Sequence, residues 1–368
     1  MKIVVDAYQA MSVAGGIARY ARGLISSIAE ITPTNEVILF YNRFFERGKA
    51  WRPKDESCHV RQVIFPRRML QGLWSSFEWP PIEAFCGPAD LFHGLHFVLP
   101  PVRRAQRVLT VHDLTYLKYP DYFENQALNN RGYRLELPRA LAHADAVIAD
   151  SQKTKEDLSE LMKFPEERVR VIYMGIDHCL FTQVEGQKAA TLQKLYGLSR
   201  PYLIYLVGTP EPRKNLARTV SGVRRAAPQL DLVLIGPQRR LKKLLGDNLQ
   251  NIIFTDVIPD ELLPALLSGA TISLYPSLYE GFGLPVLESM ACGVPVIASD
   301  RGSLPEVAGG AAILVNPEDE DNISDAISEL LKNESLQNRL KIMGRKRAGE
   351  FTWQKTAAQT LSLYRELV

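Results

Sequence analysis

The chain has 368 residues, of which 46% are hydrophobic and 23% charged, and its formal net charge is +3. This composition excludes a disordered or fibrous protein, and a length above about 300 residues favours two domains over one. So small a net charge gives no reason to expect a nucleic-acid partner.

Cysteine spacing and hydropathy bear on the compartment. Cys58, Cys86, Cys179 and Cys292 are scattered without a CxxC spacing, which argues against a zinc site or disulfide framework and suits a reducing compartment. The N-terminal residues lead directly into a strand pattern rather than a signal peptide, and no apolar run approaches the roughly 20 residues of a membrane span. We therefore expect a cytoplasmic protein, with attachment to the inner face of a membrane left open.

In the first half of the chain, strand patterns alternate with helix patterns. A strand is predicted over Ile3–Val5, followed by a glycine-rich loop through Gly15 and Gly16 and a helix over Ile17–Ala29. Ser151 is placed to cap the N-terminus of a later helix. The further strands predicted here are Glu36–Tyr41, Arg107–Val111 and Ala144–Ala149.

The second half repeats the alternation. Its predicted strands are Tyr202–Val207, Leu230–Ile235, Ile252–Phe254, Thr271–Leu274 and Val294–Ala298. Its predicted helices are Asn215–Ala226, Arg239–Leu245, Asp260–Leu267 and Pro285–Ala291, and an amphipathic helix over Thr352–Val368 ends the chain. Such alternation implies an α/β protein with parallel sheets covered by helices on both faces. The polar stretch 177–199 is the candidate hinge between two doubly wound domains.

Two adjacent cations follow one predicted strand of the second half. Open parallel sheets bind ligands beyond the carboxyl ends of their strands. The strand Tyr202–Val207 leads into Gly208 and then Arg213 and Lys214, ahead of a helix. Cations at a helix N-terminus add to the free amides and the helix dipole, which favours an anion site. A solvated turn explains the same pattern equally well.

A glycine-rich loop with two acids follows another strand. Gly281 and Gly283 would let the backbone approach a bulky ligand, and Pro285 suits the first turn of the next helix. Glu280 and Glu288 can face the same cleft and accept hydrogen bonds from the hydroxyls of a sugar and a ribose. Two solvated acids beside a glycine turn are the alternative interpretation.

The whole segment Glu280–Glu288, E-G-F-G-L-P-V-L-E, resembles the E-x7-E signature of retaining glycosyltransferases with the GT-B fold, the GT4-like group. Other segments agree with this family in order along the chain: Gly15–Arg19, Thr110–Asp113, Ala149–Ser151, Val171–Asp177, Val207–Asn215, Phe254–Leu262 and Ala291–Asp300. The resemblance implies two doubly wound Rossmann-like domains facing a central cleft. It predicts an acceptor-side domain over 1–178, a donor-binding domain over 179–351, and a closing helix, 352–368, that packs back on the first domain.

The resemblance also implies roles for single residues. Arg213 and Lys214 would neutralise the donor diphosphate and stabilise the leaving group without a metal or other cofactor. Glu280 would bind the transferred sugar, and Glu288 the ribose. Further donor contacts are implied for Gly15, Gly16, Arg19, Gly208, Ile258, Phe282, Gly283 and Leu284.

His112, directly after a predicted strand, would contact the transferred sugar near the reacting carbon. Without the family, a histidine in this position is more often structural than catalytic. Asp113, His93 and His96 are acceptor-side candidates, and we rank His93 and His96 below His112.

The family transfers a sugar with retention of configuration, so this chain is expected to be a metal-independent hexosyltransferase. The stretch Thr110–Pro120 looks most like bacterial mannosyl- or deoxyhexosyltransferases that build surface polysaccharides. This favours GDP-mannose as donor over other GDP-, UDP- or TDP-sugars, and a growing glycan, free or lipid-linked, as acceptor. Two rivals are a dinucleotide-dependent oxidoreductase, against which the missing G-x-G-x-x-G after the first strand argues, and a sugar-nucleotide binder without transferase activity.

The segment 65–79 mixes Arg67 and Arg68 with Trp74 and Trp79. Packing on its own domain is the ordinary explanation. Beside a lipid-linked acceptor, the same residues would suit the headgroup region of a membrane.

Overall fold

The computed structural model describes residues 1–12, 15–32, 36–44, 50–53, 58–122, 127–184, 194–198, 201–247 and 249–368, with residues 127–132 described by their backbone alone. These residues form two compact units, Met1–Gly175 together with Trp353–Val368, and Ile176–Thr352. The sequence predicts a boundary after residue 178. Residues 185–193 and 199 of the candidate hinge lie outside the described residues.

Within the described residues, the first unit has a parallel sheet of seven strands. They are β1 (Lys2–Asp6), β2 (Glu36–Asn42), β3 (His59–Val63), β4 (Leu91–Gly94), β5 (Gln106–Val111), β6 (Ala146–Ala149) and β7 (Val169–Val171). The sheet order is β3-β2-β1-β4-β5-β6-β7, with all neighbours parallel. The central strands are buried on both faces because helices cover both sides of the sheet.

The helices of the first unit follow its strands. They are α1 (Gly16–Ile31), α2 (Arg67–Phe77), α3 (Glu83–Cys86), α4 (Thr115–Lys118), α5 (Ala127–His143) and α6 (Gln152–Met162). The predicted cap of α6 is confirmed, since Ser151 Oγ accepts a hydrogen bond from the Thr154 amide at 3.0 Å.

The second unit repeats this plan with six described strands. They are β8 (Tyr202–Leu206), β9 (Asp231–Ile235), β10 (Ile252–Phe254), β11 (Ile272–Tyr275), β12 (Val296–Ser299) and β13 (Ile313–Val315). Its helices are α7 (Leu216–Ala226), α8 (Gln238–Leu245), α9 (Leu263–Ser268), α10 (Leu284–Ala291), α11 (Leu304–Ala308), α12 (Glu320–Lys332) and α13 (Glu334–Ala348). The order β10-β9-β8-β11-β12-β13, again all parallel, is that of a doubly wound dinucleotide-type sheet.

The predicted start of the helix before β11 is wrong. The single helix expected over Asp260–Leu267 is a 3-10 turn, Asp260–Leu262, followed by α9. Pro264 lies in the first turn of α9, where its missing N–H leaves no hydrogen bond unmade. The proline therefore sets where the regular helix begins.

The C-terminal helix, α14 (Trp353–Leu367), belongs to the first unit, where it packs on α1. Gly23 of α1 makes the close approach possible, because a Cβ at this position would lie far inside contact distance of the Trp353 indole ring. At the far end of α14, the buried Tyr364 hydroxyl is hydrogen-bonded to His93 Nδ1 at 2.6 Å. Close packing of Trp353 on Gly23 therefore holds one end of α14 on the first unit, and a buried hydrogen bond from Tyr364 holds the other.

We expect Gly23→Ala to destabilise the protein although alanine is the better helix former. Overpacking against a rigid ring costs about 1–3 kcal/mol, whereas replacing a helical glycine gains at most about 1 kcal/mol. Gly72→Ala is the matched control, because Gly72 lies in the exposed middle of α2 with open space at its Cβ position. Chemical denaturation should show a loss for Gly23→Ala and none for Gly72→Ala. Equal midpoints for the two variants would contradict the tight packing of α1 on α14.

Candidate functional site

The strand order of the second sheet reverses between β8 and β11, which are hydrogen-bonded neighbours. Loops that follow the two strands therefore leave the sheet at the same edge. The Leu278 amide donates a hydrogen bond to the Arg213 carbonyl oxygen at 2.7 Å, so the loops are in direct contact. Open parallel sheets bind ligands at such a reversal point.

Buried hydrogen bonds fix the loop after β8. The Tyr205 hydroxyl donates to the Lys214 carbonyl oxygen at 2.6 Å. The Asn215 side-chain amide donates to the carbonyl oxygens of Pro276 and Pro317, at 2.9 and 2.6 Å. Asn215 has a left-handed conformation, φ 54°, which ends the turn Pro212–Lys214 and starts α7. The two cations are thereby held on a rigid turn.

Arg213 and Lys214 both contact Glu280 across the two loops. Arg213 Nη1 lies 2.6 Å from Glu280 Oε2, and Lys214 Nζ lies 2.7 Å from Glu280 Oε1. A second carboxylate, Glu211, lies 2.6 Å from Arg213 Nε. These four residues form what we call the charge cluster. The cation side chains are only 16% and 13% exposed, so the loop is not a solvated turn.

The cluster controls the protonation of its members. Burial alone would raise the pKa of Glu280, but the charges of Lys214 and Arg213 hold this pKa at about 2. Burial, followed by the charge of Arg213, lowers the pKa of Lys214, and Glu280 opposes that shift. Glu280 is therefore an anion at neutral pH, and each of its carboxylate oxygens accepts a hydrogen bond from one of the two cations.

The loop that carries Glu280 is also held from the β12 side. The Ser303 amide donates to the Glu280 carbonyl oxygen at 3.2 Å, and Ser303 Oγ lies 2.8 Å from the carbonyl oxygen of Phe282. Gly302, at φ 63°, is required here because a Cβ would lie 2.9 Å from the Glu280 backbone oxygen. Ser303 and Glu211 were not predicted. Their signal is the same as that of Arg213 and Lys214, a polar side chain in the loop that follows a buried strand.

The start of α10 carries several predicted donor residues. Gly283 precedes α10 with φ 102°, and a Cβ there would lie 2.5 Å from Leu304 Cδ2. Its neighbours Phe282 and Leu284 are 4% and 5% exposed. Glu288 lies inside α10 and is 1% exposed, so it is not a solvated acid.

The remaining predicted donor residues of this unit lie after β8 and β10. Gly208 follows β8, and the buried Ile258 lies in the segment between β10 and α9. The structure therefore places all of the predicted donor residues of the second unit near the carboxyl ends of β8, β10 and β11.

In the first unit, His112 follows β5. Its Nδ1 atom lies 2.5 Å from Asp150 Oδ2, and its Nε2 donates to the Leu95 carbonyl oxygen at 3.0 Å. Asp150 directly follows the neighbouring strand β6 and is fully buried. Asp150 lies in the family-like segment Ala149–Ser151 but was not predicted as a site residue, although its place after a buried strand matches that of His112.

The three acceptor-side candidates have different environments. His93 is fully buried, with Nδ1 hydrogen-bonded to Tyr364 and Nε2 to Thr110 Oγ1 at 2.8 Å, so neither ring nitrogen is left for a ligand. Burial, followed by the charge of His112, lowers the pKa of His93 to about 3. His96 is half-buried, with its ring centroid 6.3 Å from that of His112. Asp113 Oδ1 accepts from the Thr115 amide at 2.9 Å, at the start of α4.

The glycines predicted to approach the phosphates lie at the start of α1. Gly15 is its N-cap and Gly16 its first residue, both exposed, and Arg19 in the first turn is half-buried. Like His112, they follow a strand of the first sheet at its carboxyl edge. The predicted donor residues therefore form two groups, one in each unit.

The described part of the chain contains neither a group of potential metal ligands nor a helix suited to cross a membrane. No three His, Cys, Asp or Glu side chains come together as metal ligands would. No described helix has the length and apolar character needed to cross a membrane.

Comparison with known families assigns both halves of the chain. The family described as Glycosyltransferase Family 4 matches residues 14–179, and the family described as Glycosyl transferases group 1 matches residues 191–347. Among curated relatives, O-antigen chain mannosyltransferase B of Escherichia coli is 28% identical over 96% of each chain. MMP alpha-(1->4)-mannosyltransferase of Mycolicibacterium hassiacum is 32% identical over 61% of this chain and 54% of its own.

Solved structures agree with this assignment. Sucrose-phosphate synthase from Thermosynechococcus elongatus superposes with a TM-score of 0.81 and 26% identity, over 100% of this chain and 98% of its own. HepE of Anabaena, solved in complex with UDP and glucose, superposes with a TM-score of 0.72 and 18% identity over the whole of both chains. These likenesses exclude the oxidoreductase alternative, and the chain belongs to the GT4-like glycosyltransferases of the GT-B fold, among which it resembles the bacterial mannosyltransferases.

Proposed function

We propose that this glycosyltransferase moves mannose from GDP-mannose to a growing glycan, with retention of configuration and without a metal ion. The observation that carries the proposal is the charge cluster, two cations on a rigid turn at the reversal point of the donor-side sheet. The choice of mannose rests on the likeness to the O-antigen chain mannosyltransferase over nearly the full length of both chains. That relative also supports an acceptor in polysaccharide assembly.

Donor binding would rearrange the charge cluster. A diphosphate offers Arg213 and Lys214 several charged oxygens in place of the two that Glu280 supplies in this structure. Glu280, released from one or both cations, would then accept hydrogen bonds from hydroxyls of the transferred sugar. Because the cations already lie on a fixed turn, they can stabilise the departing diphosphate without reorganising. As the bond from the anomeric carbon to the phosphate breaks, the acceptor oxygen would bond to that carbon on the same face, and the departing phosphate would take the acceptor's proton, so the configuration is retained.

The start of α10 would complete the donor site. The first amides of a helix have no partners within it and favour an anion, so the amides of Phe282, Gly283 and Leu284 suit phosphate or sugar oxygens. Glu288 would accept from the ribose hydroxyls, and Ile258 would lie against the base. Gly208 would line the phosphate path. For Gly15, Gly16 and Arg19 we propose the role that the family resemblance implies, contact with the donor.

Two alternatives remain to be tested against GDP-mannose. A UDP-sugar donor is supported by HepE, whose solved complex contains UDP, and a TDP-sugar would use the same phosphate contacts. The other alternative is a sugar-nucleotide binder that does not transfer. It would leave Glu280, Lys214 and His112 without a chemical role.

A ligand panel separates these possibilities. At 100 times its Kd, a ligand should add about 2.7 kcal/mol to the free energy of unfolding, so thermal shifts with GDP, UDP and TDP rank the bases. Donor turnover with and without a glycan acceptor, in buffer and in EDTA, then tests transfer and metal independence. A larger shift with UDP than with GDP would reject the GDP-sugar donor, and no acceptor-dependent turnover would reject transfer.

We also propose that the first unit attaches to a membrane surface, next to a lipid-linked acceptor. Ile64, Met69, Phe77 and Trp79 are 61–73% exposed, and α2 itself buries only Leu70. Arg67 is not available for lipid, because its guanidinium lies 3.8 Å from the centroid of the Tyr8 ring. Arg68 is exposed and would face the headgroups.

We expect Lys214→Ala to reduce turnover by about 100-fold or more, the usual effect of removing one preorganised charge-stabilising donor. Lys243→Ala, on the exposed face of α8, is the control and should retain wild-type turnover. Both variants should be shown to be folded by circular dichroism. Near-normal turnover in folded Lys214→Ala would remove this lysine from the site.

Glu288→Gln should weaken nucleoside diphosphate binding by about 1.5–3 kcal/mol, the range for hydrogen bonds to a charged group. Inorganic pyrophosphate carries no ribose, so its affinity should stay the same in this variant. Isothermal titration with both ligands separates a ribose contact from a general loss of the site. Equal losses for nucleotide and pyrophosphate, or none for either, would contradict the ribose assignment.

Binding to anionic vesicles should depend on the exposed side chains of α2 and the residues that follow it. We expect the triple variant Met69→Ser, Phe77→Ser, Trp79→Ser to lose co-sedimentation that the wild type shows at low salt. The double variant Leu244→Ser, Ile342→Ser removes exposed apolar side chains of the other unit and should bind like the wild type. Absent binding, or equal loss in both variants, would return α2 to an ordinary surface role.

A further inference from the structure

His112 has both ring nitrogens in hydrogen bonds to oxygen atoms. The Leu95 carbonyl oxygen, 3.0 Å from Nε2, can only accept, so Nε2 carries a proton. The oxygen 2.5 Å from Nδ1 belongs to the Asp150 carboxyl group, so a second proton lies between these two atoms. The question is which of the two groups holds that proton.

The second proton belongs on the ring. An ordinary histidine has a pKa of about 6.5 and an ordinary aspartate one of about 3.9, so the ring is the stronger base. Asp150 is fully buried, and its other oxygen, Oδ1, has no hydrogen-bond partner among the described residues. Burial raises the pKa of Asp150, and the charge and the hydrogen bond of His112 oppose that shift. The negative charge of Asp150 therefore depends on a positive charge at His112, and each favours the charged form of the other.

The surroundings of His112 agree with a charged ring. Burial opposes the charge, but Asp150, the Leu95 carbonyl and Asp113 raise the pKa of His112 above its ordinary value. The rings of Tyr20 and His112 meet at an angle of 80°, with 4.9 Å between their centroids. The groups that face His112 from the packed elements are Tyr20 of α1, His93 of β4, His96 after β4, Asp113 before α4 and Asp150 after β6.

We propose that Asp150 is a positioning residue that holds His112 as a protonated imidazolium at neutral pH. This inference rests on the proposed function, together with the family resemblance by which His112 would contact the transferred sugar near the reacting carbon. His112 then acts as a fixed positive charge and has no lone pair with which to take a proton. The acceptor's proton must therefore leave by another group, which agrees with its transfer to the departing phosphate.

The wild-type protein alone gives the first test. With only six histidines in the chain, the side-chain nitrogen signals can be followed through a pH titration by ¹⁵N NMR, and loss of a signal in His112→Gln assigns His112. We expect this ring to remain protonated beyond the ordinary histidine value of about 6.5. An ordinary titration of His112, or a neutral ring at pH 6, overturns the proposal. Because this readout needs no turnover, it stands apart from any failure of the proposed donor or acceptor.

The second test removes one charge at constant shape. In Asp150→Asn the pKa of His112 should fall by about one unit or more, the effect of a lost opposite charge at this distance. Turnover of the variant should then decline above the lowered pKa, by up to about tenfold per pH unit, where the wild type stays level. If the variant does not fold, the wild-type titration still decides.

Asp157→Asn is the matched control. Asp157 is a fully buried carboxylate in the same unit, but it pairs with Lys118 and Lys153 at 2.6 and 3.0 Å. This variant should leave the titration of His112 unchanged even if it destabilises the fold. An Asp150→Asn variant with equal loss of turnover at every pH and an unshifted His112 signal would show that Asp150 only packs, and would overturn the proposal.

Discussion

The donor-side site depends on the pairing of β8 with β11. These strands are far apart in sequence, yet their adjacency in the sheet brings the turn with Arg213 and Lys214 against the loop with Glu280. Two hydrogen bonds then join the two loops directly. One runs from the Leu278 amide to the Arg213 carbonyl oxygen, and the other from the Asn215 side chain to the Pro276 carbonyl oxygen. A sheet with any other strand between β8 and β11 would separate the cations from their carboxylate by about another strand spacing of 4.8 Å.

Buried charge makes this arrangement costly to disturb. Removing one partner of a buried ion pair costs about 3–5 kcal/mol, because the other charge stays behind without compensation. The charge cluster avoids this cost since each cation contacts a carboxylate, and Arg213 contacts two. Loss of stability and loss of chemistry therefore have to be measured separately for every residue of the cluster.

The sequence predicts most of the buried strands, because they show a continuous apolar run between turn residues. The edge strands β3, β7 and β13 were not predicted, although β10, an edge strand of three residues, was. In β3 and β7 exposed polar side chains interrupt the apolar run. Residues in the loops that follow strands could be named from sequence, as with Arg213 and His112. The sequence could not show which of these residues meet, since that depends on strand order, and so Asp150 and Glu211 were missed.

His93 shows the limit of the same reasoning. In the sequence pattern both histidines stand at the end of a strand, but in the structure His93 lies within β4, paired with Val108, whereas His112 follows β5. In the structure His93 bridges Thr110 and Tyr364, and Thr110 in turn contacts the Tyr20 hydroxyl at 2.9 Å. This buried polar chain runs from the sheet to both α1 and α14. The structural role of His93 is therefore visible only once the position of α14, the C-terminal helix, is known.

The charge cluster has two cations and two carboxylates, so its formal charges cancel. A site of this kind attracts anions only weakly at long range. Free phosphate and other simple anions of the cell have to displace a carboxylate from each cation, and they offer the displaced carboxylate no new hydrogen-bond donor. A ligand that carries both an anionic group and hydroxyl groups gives the cations a new anion and the displaced carboxylate new hydrogen-bond donors. Cancelled charge thus acts as a filter against abundant small anions, and association should depend only weakly on ionic strength.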